Sequence, residues 1–532
     1  MRAIRIIPRL DVKGPNLVKG IRFEGLRVMG PPEYFAKQYY EEGADELIYM
    51  DIVASLYQRN NLREIVERTA REVFIPITVG GGIRSVDDIR VLLRAGADKV
   101  AINTAAIQNP DLIKEGSKVF GSQCIVVSIE AKKTSSGKYE VFTDNGRQET
   151  GVDVFEWAQY AHKLGAGELL VTSVDREGTG DGYDIELISK VADIVPIPVI
   201  ACGGAGRLED IEEVVRRTNA SAVAAASIFH YNNLTQSLIA KKYEEGNIEF
   251  LKKFTQSSSY TLKHIKQPVS VSELKSYLID TGMINIRSVK AEDLAQGKAD
   301  KVKAGAVSGN VPFVVIVDYG CGNLFSIEHA LKKIGANFRI SSDPEVIRQA
   351  DRLILPGVGA FGDGMKNLED RRLVEPIKEH AKAGKPFLGI CLGMQLLLSE
   401  SEEFGSYKGL GLIEGNVVRM KVLQDDTTYF KIPNIGWNKV MLPGKGQKDR
   451  GETGYSSWNN TVLEKISPGE LMYFIHSYIV VPDSPSDVLA ETEYGGNIFC
   501  SVVHRDKMYG CQFHPERSGE EGLSIYRQFV FR

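Results

Sequence analysis

Short apolar, β-rich runs alternate with amphipathic stretches along the first half of the chain, and the alternation repeats itself. Residues 6–11, 43–51, 76–82 and 99–104 are matched about 122 residues later by 125–130, 165–173, 198–204 and 222–227. The stretches between them, such as 86–95 and 211–217, place apolar residues at helical spacing. Strand alternating with helix implies a parallel sheet. Eight such units close into a (β/α)8 TIM barrel, built here by duplication of a half-barrel and expected over residues 1–287. A polar insertion at about 231–268 interrupts the final unit, and Val271–Asp280 reads as the last barrel helix.

Residues 288–311 are small and polar with little apolar periodicity, which marks a linker. A second α/β pattern then fills residues 312–532. Its strands are expected at 313–318, 352–355 and 386–389, with later segments such as 508–513 suggesting a mixed sheet. A chain of 532 residues is too long for one core, so two domains agree with its length.

Composition narrows the function classes. The net charge of -4, from 65 basic and 69 acidic residues, offers no basic excess for nucleic acid or an anionic membrane. No apolar run reaches the ~20 residues of a membrane span. The N-terminus reads directly into a strand, without a signal-peptide core. Cys124, Cys202, Cys321, Cys391, Cys500 and Cys511 show no zinc or disulfide spacing, so no metal or cofactor is expected and the reducing cytoplasm is the expected compartment.

Two constellations carry chemistry. In the second half, Gly389-Ile-Cys-Leu-Gly-Met-Gln395 follows a strand and precedes a helical run at 395–398. A nucleophile flanked by small residues fits a sharp strand-to-helix elbow that exposes Cys391 at a helix N-terminus. Gln512-Phe-His-Pro-Glu-Arg-Ser518 supplies His514 as base and Glu516 to orient it. In Pro356-Gly-Val-Gly-Ala-Phe-Gly362, the N–H groups of Gly357, Val358 and Gly359 are candidates for an oxyanion hole. In the first half, glycines after strands suit phosphate. The duplication provides two grips, Gly81 and Gly82 with Asn103 and Thr104, and Gly203 and Gly204 with Ala226 and Ser227. Two opposed grips fit a long bis-phosphate. Asp11 and Glu130 end the first and fifth strands, which lie opposite in an eight-stranded barrel, as an acid–base pair would require.

These residues carry a resemblance. With Asp318-Tyr-Gly-Cys-Gly-Asn-Leu324, Lys431-Ile-Pro-Asn-Ile-Gly-Trp437 and Tyr473-Phe-Ile-His-Ser-Tyr478, the second half resembles class I glutamine amidotransferases, and more closely the glutaminase of imidazole glycerol phosphate synthases. Leu10-Asp-Val-Lys13, Val18-Lys-Gly20, Asp51-Ile-Val-Ala-Ser55, Val79-Gly-Gly-Gly-Ile-Arg84 and Asp175-Arg-Glu-Gly-Thr179 make the first half resemble the cyclase of the same synthases. The resemblance implies that Gln395 and Glu403 lie near bound glutamine, and that Lys19 is a substrate-loop lysine. It also implies that Arg5, Glu46, Lys99 and Glu168 form a charged ring where ammonia enters the bottom of the barrel. There ammonia would meet a phosphoribulosyl-formimino ribotide. His476 and His504 read as structural histidines.

The chain departs from the pattern at the barrel mouth. Glu130 stands where the family has Asp, Arg9 where it has a small residue, and Pro15 in a loop that is usually more open; Asn434 replaces a frequent His. Strand alternation puts Arg9 in the lumen with Asp11, where it is expected to pair with Asp11 and Glu130 and lower both pKa values. Divergent relatives with similar Arg-Leu-Asp and Ser-Ile-Glu segments imply an alternative: an altered barrel that supplies ammonia to a separate sugar-modifying partner enzyme.

Overall fold

The computed structural model describes residues 3–54, 62–236, 267–283, 286–288, 311–421, 430–444 and 457–532. They fall into two compact units. No helix among them is long and apolar enough to cross a membrane.

The first unit is a closed parallel barrel. Its staves are β1 (Arg5–Lys13), β2 (Leu47–Asp51), β3 (Ile77–Gly80), β4 (Lys99–Ile102), β5 (Ile125–Lys133), β6 (Glu168–Ser173), β7 (Val199–Cys202) and β8 (Ala222–Ala225). Each pairs with its sequence neighbour, β5 with β6 included, and β8 returns to β1 with Arg5 opposite Ala222. Ile7, Ile48, Met50, Ala101, Val126, Leu170, Ile200 and Ala224 fill the lumen, so alternate residues of each strand point inward. The amphipathic segments are helices as expected, among them Val86–Arg94 and Leu208–Arg217. Val271–Asp280 is the helix expected to close the barrel.

Two features were not apparent from the pattern. The staves β1 and β5 each run on into a β-hairpin, Asn16–Ile21 with Glu24–Gly30 and Tyr139–Thr143 with Gln148–Asp153. The first begins at a two-residue turn, with Val12 opposite Leu17 and Lys13 opposite Asn16. Gly14 supplies the positive φ of 59°, and the Pro15 ring presets the next residue, as a tight hairpin turn requires. The proline therefore stiffens a hairpin rather than shortening a loop. Residues 231–236 of the expected insertion complete the helix Ser227–Gln236. Residues 237–266 of that insertion and linker residues 289–310 lie outside the described residues.

The second unit is built on a mixed sheet of eleven strands. Five parallel strands form its centre in the order Asn337–Ser341, Phe313–Val317, Arg352–Leu355, Phe387–Ile390 and Met508–Cys511. Antiparallel strands continue from Asn497–Arg505 outward. The apolar runs that predicted strands, residues 314–317 and Phe387–Ile390, are buried here, because helices cover the sheet.

Candidate active sites

The elbow forms where the sequence predicts it, and it is strained. Cys391 has φ 51° and ψ -106°, an unfavourable conformation for a residue with a Cβ, held by its N–H on the Cys511 carbonyl at 2.7 Å. The helix starts at once, as the single turn Leu392–Gln395, rather than at 395–398 as expected. A Cβ on Gly393 would lie 1.9 Å from the Leu355 carbonyl oxygen, so only glycine lets the turn pack against the neighbouring strand.

The local motif and the fold together assemble the triad. His514 Nδ1 is 2.7 Å from Glu516 Oε1, and Tyr526 donates to Glu516 Oε2 at 3.2 Å. His514 is buried, with Cys391 as its second side-chain partner. Burial opposes the imidazolium, but Glu516 and then Cys391 outweigh it and hold the His514 pKa well above its ordinary value. Glu516 is held below its ordinary value: burial works the other way and His514 overcomes it.

The glycine-rich turn adjoins the nucleophile. A Cβ on Gly357 would meet Leu392 Cβ at 2.5 Å and Gly393 N at 2.6 Å, so Gly357, Val358 and Gly359 pass directly beside the residue after Cys391. Gln395 donates to the Tyr478 carbonyl at 3.1 Å and to Gln512 Oε1 at 3.2 Å, and Gln512 donates to Cys391 Sγ at 3.7 Å. Gln512 was missed as a site residue, although it stands two residues before His514. Glu403 accepts from the Phe361 N–H at 2.7 Å, next to the turn, and burial lifts its pKa to about 7. His476 is a satisfied core histidine, between the Tyr478 carbonyl at 2.9 Å and Asn434 at 3.2 Å. His504 stacks on Tyr509 and faces the Asp506 carbonyl at 2.7 Å.

In the barrel, four charges at the starts of the staves close into a ring. Arg5 donates to Glu46 at 2.8 Å and to Glu168 at 2.5 Å; Lys99 donates to the same two at 2.8 and 2.6 Å. Every side chain in the ring is at most 1% exposed. Burial opposes ionisation of Glu46, yet Arg5 and Lys99 hold its pKa at about 2.

At the other end of the staves the two acids part company. Arg9 lies in the lumen as expected: Nε donates to Asp11 at 2.9 Å, Nη1 to Thr172 at 3.1 Å and to Cys202 at 3.4 Å, and Phe23 covers the guanidinium at 5.3 Å. Lys19 is not on a free loop. It sits in strand Asn16–Ile21, is buried, and bridges Asp11 and Glu177. Glu177 was missed because only a partner 158 residues away gives it meaning. Burial alone would raise the Asp11 pKa, but Arg9 and Lys19 bring it below the ordinary value. The expectation that Glu130 would also be lowered is wrong. Its carboxylate accepts from the Gly146 N–H at 2.9 Å, and burial, which that bond, Arg9 and Asn103 only partly offset, raises its pKa to about 7.

Glu130 lines a cavity of about 250 Å³ with Asp51, Gly81, Gly82, Asn103, Thr104 and Asp144. One phosphate-binding candidate set and one acid are thus brought together. The matching set, Gly203, Gly204, Ala226 and Ser227, follows β7 and β8 as expected but is buried and does not line this cavity.

Taken together, the barrel and the triad define a glutamine amidotransferase coupled to a cyclase. Residues 5–235 match the histidine biosynthesis protein family and residues 315–532 match glutamine amidotransferase class-I. The chain is 64% identical over 210 residues to the imidazole glycerol phosphate synthase subunit HisF of Legionella pneumophila, covering 40% of this chain and 99% of that one. It is 51% identical over 249 residues to the HisF subunit of Bacillus cereus and 49% identical over 249 to that of Natranaerobius thermophilus, each covering 47% of this chain and 99% of the relative. The chain belongs to the histidine biosynthesis protein family, joined in one polypeptide to a class-I glutamine amidotransferase.

Proposed function

We propose that the chain hydrolyses glutamine at Cys391, His514 and Glu516 and delivers the ammonia through the Arg5–Glu46–Lys99–Glu168 ring into the barrel. There it joins a phosphoribulosyl-formimino aminoimidazole carboxamide ribotide, giving imidazole glycerol phosphate and aminoimidazole carboxamide ribotide. The observation that carries this reading is the cavity in which Glu130 stands among Gly81, Gly82, Asn103 and Thr104. It offers an acid–base group beside a phosphate grip at the mouth of a barrel.

In the first half-reaction the Cys391 thiolate attacks the carboxamide carbon. The N–H groups of Gly357, Val358 and Gly359 stabilise the oxyanion, and imidazolium His514 gives its proton to the departing ammonia. Water, deprotonated by His514, then releases glutamate. Gln395 and Glu403 position the glutamine. Glu403 becomes charged only as pH rises through about 7, so its hold on a glutamine ammonium strengthens in that direction. The KM for glutamine should fall as pH rises from 6 to 8, measured with the full chain. A pH-independent KM would remove Glu403 from glutamine binding.

The test of the whole reading is product formation from the ribotide, once with glutamine and once with ammonium salt. Imidazole glycerol phosphate with both nitrogen sources supports it; none with either, while glutamine is still hydrolysed, overturns it. Glu130→Gln should slow the ammonium-dependent reaction about 10²–10⁴-fold, the usual contribution of a general acid–base group. A loss below tenfold would exclude Glu130 from proton transfer.

One observation favours a second reading. The ion pairs of Asp11 with Arg9 and Lys19 hold as a carboxylate a group that the cyclase chemistry would use as an acid. In that case the barrel passes ammonia to a separate sugar-amidinating enzyme of surface-polysaccharide biosynthesis, and the ribotide test gives no product with either nitrogen source.

A further inference from the structure

The two acids at the barrel mouth occupy unlike surroundings. Both oxygens of Asp11 face cations: Oδ1 accepts from Arg9 at 2.9 Å, and Oδ2 lies 3.5 Å from Lys19 Nζ. Lys19 also pairs with Glu177 from the segment after β6. Two buried cations and two buried anions thus form a neutral group. His230, from helix Ser227–Gln236, also faces Asp11; burial drops its pKa to about 3, so it stands there neutral, with Nδ1 against the Tyr39 hydroxyl. Protonating Asp11 would leave Arg9 and Lys19 with one anion between them in a buried setting, which is strongly unfavourable.

Glu130 has none of this. Its hydrogen-bond donors are neutral, the Gly146 N–H and the Asn103 side chain, and the charged groups facing it are Asp144 and, at longer range, Arg9. The hydrogen bonds of Arg9 go to Asp11, Thr172 and Cys202. Glu130 lines the cavity, with Asp51 and Asp144 as further acids there, and Asp11 does not.

The geometry points to Arg9 as a positioning residue that keeps Asp11 a permanent carboxylate and leaves Glu130 as the acid that exchanges protons with a ligand in the cavity. A buried carboxyl with an apparent midpoint near 7 can both give and take a proton at neutral pH, whereas a carboxylate clamped by two cations does neither. One carboxyl then serves in turn where the duplicated barrel suggests two. This deepens the proposed barrel chemistry and rests on Glu130 as its acid–base group, but its test needs no substrate.

The test is a pH titration of carboxyl groups in the full chain, labelled with ¹³C-carboxyl aspartate or glutamate and followed by infrared difference spectroscopy. Asp11→Asn and Glu130→Gln identify the bands. Glu130 should titrate near 7, and Asp11 should stay ionised to the lowest pH at which the chain remains folded. Arg9→Ala should raise the Asp11 midpoint by about one pH unit or more, and Arg9→Lys, which keeps the charge, should largely restore it. An Asp11 that titrates in the ordinary aspartate range in the unaltered chain overturns the inference, as does an Arg9→Ala chain with an unmoved Asp11. If Arg9→Ala does not fold, the titration of the unaltered chain decides alone. If the titrations come out as expected but the ribotide yields no product, the substrate reading fails and the role of Arg9 stands.

Discussion

Replacing Cys391 with alanine should reduce glutamine hydrolysis by at least about 10⁴-fold, because nothing else at the elbow can form the acyl intermediate. Ammonium salt should still support whatever reaction the barrel performs. The size of the expected loss follows from how completely the fold commits this one side chain. The backbone at Cys391 is held at φ 51°, a conformation that neither neighbour in the turn shares. His514 is held by Glu516 on one side and faces Cys391, and Glu516 is fixed from its far side by Tyr526. Serine at 391 should be nearly as inactive, since its hydroxyl is a far weaker nucleophile at neutral pH. Glu516→Gln should be milder, on the order of 10²–10⁴-fold, because it disturbs the imidazole without removing it. Glutamate release by the full chain measures all three. Hydrolysis within tenfold of the unaltered rate in the alanine variant would mean that Cys391 is not the nucleophile.

Lys99→Met should destabilise the barrel by about 3–5 kcal/mol, the usual consequence of removing one member from a buried ion-pair network. Glu46 and Glu168 would then keep Arg5 as the remaining cation of the ring. For a unit of this size that corresponds to a fall in melting temperature on the order of 10 °C, measured calorimetrically on the full chain. The loss arises mainly from the charge left behind, so exchanging all four ring residues for apolar ones of similar volume should be far less damaging than the single change. The sign with pH follows from Glu46. Its pKa falls from 4.5 in the unfolded chain to about 2 in the ring, so its ionisation stabilises the fold fully above 4.5. That contribution is lost as pH drops through the interval from 4.5 to about 2. A melting temperature lowered by less than 2 °C in Lys99→Met would show that the ring contributes little to stability.

Much of the site was legible because it is local. The elbow needs a nucleophile between small residues at the end of an apolar strand, and all of that lies within seven consecutive residues, 389–395. His514 and Glu516 are two residues apart, so their hydrogen bond depends on one short turn. The ring was legible through the family resemblance, and strand position explains why it closes. Arg5, Glu46, Lys99 and Glu168 fall at or just before the first residue of their staves, and parallel strands in a barrel bring equivalent positions to one level. The hairpin strands were harder to see, since Asn16–Ile21 and Glu24–Gly30 carry exposed and half-buried residues that do not read as a buried strand.

The sequence by itself determined the order of strands and helices, the duplicated half-barrel, the strained elbow and the level at which each charged residue sits. Periodicity and glycine placement act over a few residues, and the chain records them directly. Only the tertiary structure decided which charges meet. Arg9 stands opposite residues 163 and 193 positions away, Thr172 and Cys202, and Lys19 reaches Glu177 across 158 residues. Whether a buried carboxyl stays ionised depends on the few groups within ångströms of it, whatever their distance along the chain. That is why Asp11 and Glu130, alike in the repeat, end as a clamped carboxylate and a group whose pKa lies near 7.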